Sequence, residues 1–346
     1  MADGPSDRPM VSIIVKALNE ERRIRHCLEA AIDEASQVDG EVILVDSLST
    51  DRTVELASQY HRVQIVQFLD ARDVNCGAAV QLGYQRSKGD YIYVLDADMV
   101  LQSGFIQHAL QILSKDSKLA GVGGKIIDTR VRTLADRRRV AHAESLTSDR
   151  FVGELGGGGL YKREAIEAVS YLSNRYLRAY EEADLGARLH SKGWKLLRTS
   201  RPAVVHEGHL ESNWQMLVRL WRNGRAAATG AFMRSSLSEP WFHLVVRKLS
   251  HVYALIVIHV GQLLPIIMVP REQAFTLWVG YWLTVLIFLT LKKRGLKDAV
   301  WSLTLANYLL FASVYGFFSK MGNPGKPIAC NIIRDGGNAA LRRNVS

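Results

Sequence analysis

Short apolar runs alternate with longer amphipathic stretches over the first 210 residues. "VSIIV" (11–15), "EVILVD" (41–46), "VQIVQF" (63–68) and "YIYVLD" (91–96) read as strands. Between them, "NEERRIRHCLEAAIDEA" and "STDRTVELASQY" read as helices, the second opening on a capping pattern. Nearly continuous apolar strands separated by helices predict a largely parallel sheet covered on both faces. The pattern then changes. Three runs, 252–269, 274–291 and 299–318, carry almost no charge, and each approaches the ~20 residues that a bilayer-spanning helix needs. Before them, "SNWQMLVRLWRNGRAAATGAFMRSS" (212–236) mixes Trp, Leu, Met and Phe with four arginines, the composition of a helix lying in a membrane interface.

Charge and cysteine content narrow the partners. The 346-residue chain has a formal net charge of +10, which points to nucleotide phosphates, nucleic acid or an anionic membrane. The apolar runs account for it better through the membrane than through nucleic acid, so no nucleic-acid partner is expected. The three cysteines, Cys27, Cys76 and Cys330, are widely spaced without a CxxC pair and fit a reducing compartment. The polar start "MADGPSDRPM" has no apolar core of a secretory signal. "RK" at 247–248 and "KKRGLK" at 292–297 predict a cytoplasmic side for both segments. The third run would then export a tail carrying Lys320, Lys326, Arg334, Arg342 and Arg343, against the same tendency.

The strand "YIYVLDADMV" (91–100) ends in two carboxylates that alternation places on one side, Asp96 and Asp98. Like charges so close repel, and a cation would relieve them. Asp46 and the pair Asn19-Glu20 fall at comparable strand ends, where ligands of open α/β sheets bind. Further on come "GGGG" (156–159), "YEEADL" (180–185) and "AVVHEGH" (203–209).

In order and spacing, "VSIIVKALNEE", "EVILVDSLSTDRT", "GDYIYVLDADMVL" and "GGGGLYKREAI…YEEADLGARLHSKGW…AVVHEGH" resemble family 2 glycosyltransferases over residues 10–230. The helices after the domain look like those of membrane-attached bacterial members that build exopolysaccharides of the succinoglycan type. The resemblance implies an α/β domain of GT-A fold followed by an α-helical membrane region. It divides the chain into a polar N-terminal tail (1–10), a catalytic domain (11–211), interfacial helices (212–248), two or three membrane helices (249–320) and a basic C-terminal tail (321–346). It implies a nucleotide-sugar donor, a UDP-sugar in the first instance, bound by Ala17, Leu18, Glu20, Asp46, Asp96 and Asp98. A divalent cation, Mn²⁺ or Mg²⁺, would be held by Asp98, Asp96 and His206, with His209 a less suitable substitute for the histidine. Glu182, supported by Glu181, would be the general base of an inverting transfer. Gly158, Gly159, Arg222 and Arg225 would meet the acceptor or a diphosphate.

The expected activity is non-processive transfer to a membrane-held acceptor such as a lipid-linked saccharide, with the catalytic domain on the cytoplasmic face of a bacterial inner membrane. "RLWRNGR" (219–225) does not match the "QxxRW" of processive synthases. The sequence departs from the family at "VDSLST", where Ser47 and Leu48 stand for the usual Asp and Gly, at Lys16, where Pro or Thr is common, and at Leu18, where Tyr is common. Two rivals follow: a polyprenyl-phosphate glycosyltransferase, and a catalytically degenerate membrane scaffold that binds sugar. Neither donor sugar, acceptor nor oligomeric state is legible.

Overall fold

A computed structural model describes residues 9–131, 134–207 and 213–336. The chain forms two compact units, Met1–Met216 with Met321–Ser346, and Leu217–Lys320. The first is built on a ten-stranded sheet. Its strands are β1 (Val11–Ala17), β2 (Gly40–Asp46), β3 (Val63–Phe68), β4 (Tyr91–Asp96), β5 (Met99–Leu101), β6 (Leu119–Asp128), β7 (Arg150–Val152), β8 (Gly159–Lys162), β9 (Lys195–His206) and β10 (Cys330–Arg334). They run in the order β10-β3-β2-β1-β4-β8-β6-β9-β5, with β7 beside β9.

The expected parallel arrangement holds for β3-β2-β1-β4. Beyond β4 the sheet is mixed: β8 is antiparallel to both β4 and β6, while β6 and β9 are parallel. This is a correction to a mostly parallel sheet. The strands of the second half are short or interrupted, and their pairing is set by distant partners rather than by local pattern. Side chains on β1 explain the double coverage. Ile13 and Val15 join one core with the helix Ile24–Gln37, and Ile14 joins the other with the helix Cys76–Arg86.

The register sets the functional edge. Ala17 lies opposite Asp46, and Lys16 opposite Asp96. Three parallel strands therefore deliver their last side chains to one carboxyl edge.

Strand β10 falls in the stretch that the sequence presents as a basic tail. It pairs antiparallel with the edge of β3, Cys330 facing Phe68 and Asn331 facing Gln67. The segment leading to it is tied down as well. Ile328 is 3% exposed, its N–H donates to Gln85 Oε1 at 3.0 Å, and Arg175 donates to the carbonyls of Lys326 and Pro327 at 3.1 and 3.2 Å. The pairing covers one edge of the sheet.

In the second unit, the helices Arg271–Lys293 and Leu296–Phe317 are long and apolar enough to cross a membrane. Phe242–Lys248 with Val252–Gly261 would make a third, but the two halves are bent by 67°. The first apolar run of the sequence is thus not one helix: it ends at Gly261 and resumes as Leu264–Met268. The helices Ala228–Ser236 and Leu296–Phe317 meet through small residues. A Cβ on Gly230 would fall 1.8 Å from the Ser313 carbonyl oxygen, and one on Gly316 would fall 1.9 Å from that of Ala227. Glycine is what permits that approach.

Replacing the buried Ile328 tests whether the C-terminal segment is integral to the first unit. Ile328→Ala is expected to cost about 2–5 kcal/mol, read as a lowered denaturant midpoint of the solubilised protein. An unchanged midpoint would mean that the segment is an ornament.

Candidate active site

The edge of the sheet carries three groups of charge. The first surrounds Asp46, which is fully buried. Its Oδ2 accepts hydrogen bonds from the Ser49 N–H (3.0 Å) and from Gln67 Nε2 (2.8 Å). No hydrogen bond to Oδ1 is made among the described residues. Ahead of the helix Thr53–Ala57, Asp51 Oδ1 accepts from the Thr53 N–H at 2.9 Å, and Asp46 donates nothing to and accepts nothing from that helix. The loops after β1 and β2 are stitched together: the Asn19 N–H donates to Ser49 Oγ at 2.9 Å, the Glu20 N–H to Thr53 Oγ1 at 2.7 Å, and the Thr50 N–H to Asn19 Oδ1 at 2.8 Å. Leu48 sits at φ +63°, a left-handed conformation that suits the glycine usual in the family. The backbone has kept its path while the residue has changed, at a cost of order 1–2 kcal/mol. Leu18 is exposed at the rim, and Ala17 is buried.

The second group is centred on Asp98. Pairing of Met99 with His206 across β5 and β9 brings Asp98 Oδ2 to 3.3 Å from His206 Nε2. The other ring nitrogen, Nδ1, lies 2.6 Å from Asp128 Oδ1. Asp128 is held in turn by Arg139 at 3.1 Å. Arg23 bridges Glu20 (3.1 Å) and Asp98 (3.7 Å). Burial pulls the His206 pKa down, but Asp98 and Asp128 outweigh it and hold it at about 9. Burial pushes Glu20 up to about 7, with Arg23 opposing and Asp98 adding to the rise.

The third group lies under the helix Glu181–Ser191. Lys16 Nζ stands 3.0 Å from Asp96 Oδ1 and 3.5 Å from Glu181 Oε1. Burial lowers the Lys16 pKa, but these two carboxylates prevail and raise it well above its usual value. Asp96 therefore pairs with Lys16, while Asp98, two residues on, pairs with His206. Glu182 lines a pocket shared with Lys16, Asp96, Ser173, Tyr161 and Gly157–Gly159. Its pKa is pushed up to about 7 by burial first and the Glu181 charge second, with Lys16 opposing. Gly158 has φ +74°, and a Cβ there would fall 2.7 Å from the Tyr93 hydroxyl oxygen. Both the turn and the close approach require glycine. One turn along, Asp184 and Arg188 form a buried pair at 2.9 Å, and Arg188 also donates to the carbonyls of Val169, Tyr171 and Leu172.

The structure thus brings Asp46, Glu20, Asp96, Asp98, His206, Glu181, Glu182, Gly158 and Gly159 to one unit. Arg222 and Arg225 belong to the other, at the end of the helix Asn213–Arg222 and at the start of the turn Arg225–Ala227. His209 lies outside the described residues. Sequence reasoning missed Gln67, Arg23, Asp128 and Arg188. Asp128 had a signal: like Asp46 and Asp96, it ends an apolar strand, "KIID".

Residues 12–169 match the family model described as glycosyl transferase family 2. The match covers less than half of the chain and is a likeness over that stretch. Among curated relatives, the transferase domain is similar to a beta-monoglucosyldiacylglycerol synthase of a Nostoc species, 25% identical over 239 residues that cover 65% of this chain and 50% of that protein. It is similar too to a dolichyl N-acetyl-alpha-D-glucosaminyl phosphate 3-beta-D-2,3-diacetamido-2,3-dideoxy-beta-D-glucuronosyltransferase of Methanococcus voltae, 21% identical over 225 residues, 60% of this chain and 70% of that one. The chain spans about half the length of the first of these relatives. Among solved structures, the fold is shared with the mannosyltransferase PcManGT of Pyrobaculum calidifontis, in complex with GDP-Man and Mn²⁺ (TM-score 0.59, 18% identity, 92% of this chain and 90% of that one). It is shared also with S. aureus TarS 1–349 (TM-score 0.54, 12% identity, 94% and 96%). The GT-A architecture expected of the family is therefore the architecture found.

The Asp184–Arg188 pair gives a stability test apart from chemistry. Asp184→Asn leaves a buried guanidinium without its counter-charge, which typically costs about 3–5 kcal/mol. The three carbonyl acceptors of Arg188 favour the low end of that range. A midpoint equal to that of the parent in denaturant unfolding would contradict this account.

Proposed function

We propose that the chain transfers a sugar from a nucleoside-diphosphate sugar to a hydroxyl of a membrane-held acceptor, with inversion and with help from a divalent cation. One observation carries the reading: Asp96 and Asp98, separated by a single residue, face different partners, so the edge has a carboxylate-bearing pocket on one side and an Asp–His pair on the other.

Asp46 suits a base imide, because an ionised carboxylate only accepts hydrogen bonds and one of its oxygens is uncommitted. Gln67 and the Ser49 N–H fix that carboxylate in advance of binding.

Asp98 and His206 fit a divalent cation. Asp128 on the far nitrogen of His206 is the arrangement that orients metal-bound imidazoles. Among the described residues no cluster of three or more protein ligands forms. That agrees with a cation completed by substrate phosphates, as Mg²⁺ commonly is, and an imidazole ligand tilts the choice towards Mn²⁺. When bound, such a cation would supply positive charge to the departing diphosphate.

Glu182 takes the acceptor proton. As the acceptor oxygen bonds to the anomeric carbon from one face, the bond from that carbon to the diphosphate oxygen breaks on the other. The proton passes to the Glu182 carboxylate, and the bonding pair leaves with the diphosphate. Lys16 keeps Asp96 and Glu181 compensated, so Glu182 is the carboxylate of this pocket whose proton affinity lies near neutrality.

The two long apolar helices support a membrane-held acceptor. So do the names of the relatives, one a diacylglycerol-glycolipid synthase and one a dolichyl-phosphate sugar transferase. A lipid-linked saccharide or a polyprenyl phosphate satisfies the same geometry. The basic pair at 247–248 supports a cytoplasmic side for the catalytic unit.

Hydrolysis of a set of nucleotide sugars by the purified chain, with Mn²⁺ or Mg²⁺, identifies the donor. Glu182→Gln is expected to lower the transfer rate about 10²–10⁴-fold with donor affinity little changed. A dead Glu181→Gln beside an active Glu182→Gln would move the base by one residue, and activity in both would make the acidic cluster structural. With a base near pKa 7 the carboxylate form is lost as pH falls, so kcat/KM should drop about tenfold per unit below that value and level off above it. In calorimetry with a nucleoside diphosphate, Asp98→Ala should abolish the gain from Mn²⁺. Equal affinity with Mn²⁺ and with EDTA in the parent would remove the cation from the mechanism.

A further inference from the structure

We infer that the chain crosses the membrane an even number of times, as one hairpin, and that the segment 321–336 lies on the same face as the catalytic sheet. The inference rests on the membrane reading proposed above and on where the chain re-enters its first unit. The sequence offers three apolar runs, and three crossings would leave everything after residue 320 on the far side. Yet the chain leaves the first unit after Met216 and returns to it at Met321.

The return is a built one. The antiparallel ladder between β10 and β3 puts Ile332 opposite Val66 and Cys330 opposite Phe68. Ahead of the ladder, Gln85 both donates to the Gly325 and Lys326 carbonyls and accepts from the Ile328 N–H. Arg175, itself 9% exposed, donates to the Lys326 and Pro327 carbonyls, and Arg86 reaches Cys330 Sγ at 2.9 Å. A bilayer of about 30 Å cannot lie between two strands hydrogen-bonded to each other some 4.8 Å apart. The number of crossings between residues 217 and 320 is therefore even.

The geometry of the second unit agrees. Two of its helices are unbroken over a spanning length, whereas the remaining apolar run follows a 67° bend between Phe242–Lys248 and Val252–Gly261 and is interrupted after Gly261. An even count brings Lys320, Lys326 and Arg334 to the face of the catalytic domain, and it puts the basic turn 292–297, between the two long helices, on the opposite face.

The test is side-specific labelling of the full chain in membrane vesicles of both orientations, using a membrane-impermeant maleimide. The background is Cys76→Ser with Cys330→Ser, since Cys27 is buried. One probe is Lys326→Cys, whose side chain is exposed in the C-terminal segment, and the reference is Lys115→Cys on the catalytic unit. Both are expected to label in the same vesicle orientation and to be shielded in the other. Labelling of Lys326→Cys only in the orientation that shields Lys115→Cys overturns the inference while leaving the proposed chemistry intact. Release of the parent chain by carbonate extraction overturns the membrane reading itself, and the hairpin with it.

Discussion

The site is organised by the need to neutralise carboxylates that a parallel register forces together. Strands β1, β2 and β4 end in step, so Asp46, Asp96 and Asp98 arrive at one edge with Glu20, Glu181 and Glu182 beside them. Like charges at such spacing are tolerated only with counter-charges. Lys16 serves Asp96 and Glu181, Arg23 serves Glu20 and Asp98, and His206 stands between Asp98 and Asp128. Glu182 has no ion pair within 4 Å among the described residues. Burial, and the Glu181 charge after it, raises its proton affinity. Lys16, a departure from the family at a position where Pro or Thr is common, is thus an integral part of the charge balance.

Much of this was legible along the chain because it depends on local pattern. Strand ends read as apolar runs closing on Asp, and the acidic helix start at Glu181 and the histidine at the end of β9 follow from order and spacing. What escaped is what depends on pairing. The ladder between β5 and β9 aligns Asp98 with His206, which the resemblance had put together, and the parallel pairing of β6 with β9 adds Asp128, which it had not. Arg188 looks like an ordinary helical arginine until the fold buries it against Asp184 and three carbonyls. Strand β10 is only five residues long, with an exposed centre, so its composition reads as a solvated tail. Its partner edge on β3 makes it a strand. The first apolar run was misleading for the opposite reason. Hydropathy is blind to the break after Gly261.

The loop "VDSLST" shows how a local rule can be broken without moving a site. Leu48 takes the backbone conformation of a glycine, and the surrounding hydrogen bonds hold it there. Strain of this kind persists where neighbouring structure over-determines it. The altered motif therefore does not by itself mark a degenerate domain. The carboxylate that it follows, Asp46, keeps its two donors and its uncommitted oxygen.

The same carboxylate connects the site to the C-terminal segment. Gln67, which holds Asp46, is the residue of β3 that faces Asn331 of β10. Arg175, which grips the carbonyls ahead of β10, lies in the segment that leads into the helix of Glu181 and Glu182. The last described stretch of chain thus braces both ends of the edge: the strand whose Gln67 fixes Asp46, and the approach to Glu181 and Glu182. An edge strand so late in sequence pairs across the whole intervening chain, a contact of the high sequence separation that slows folding.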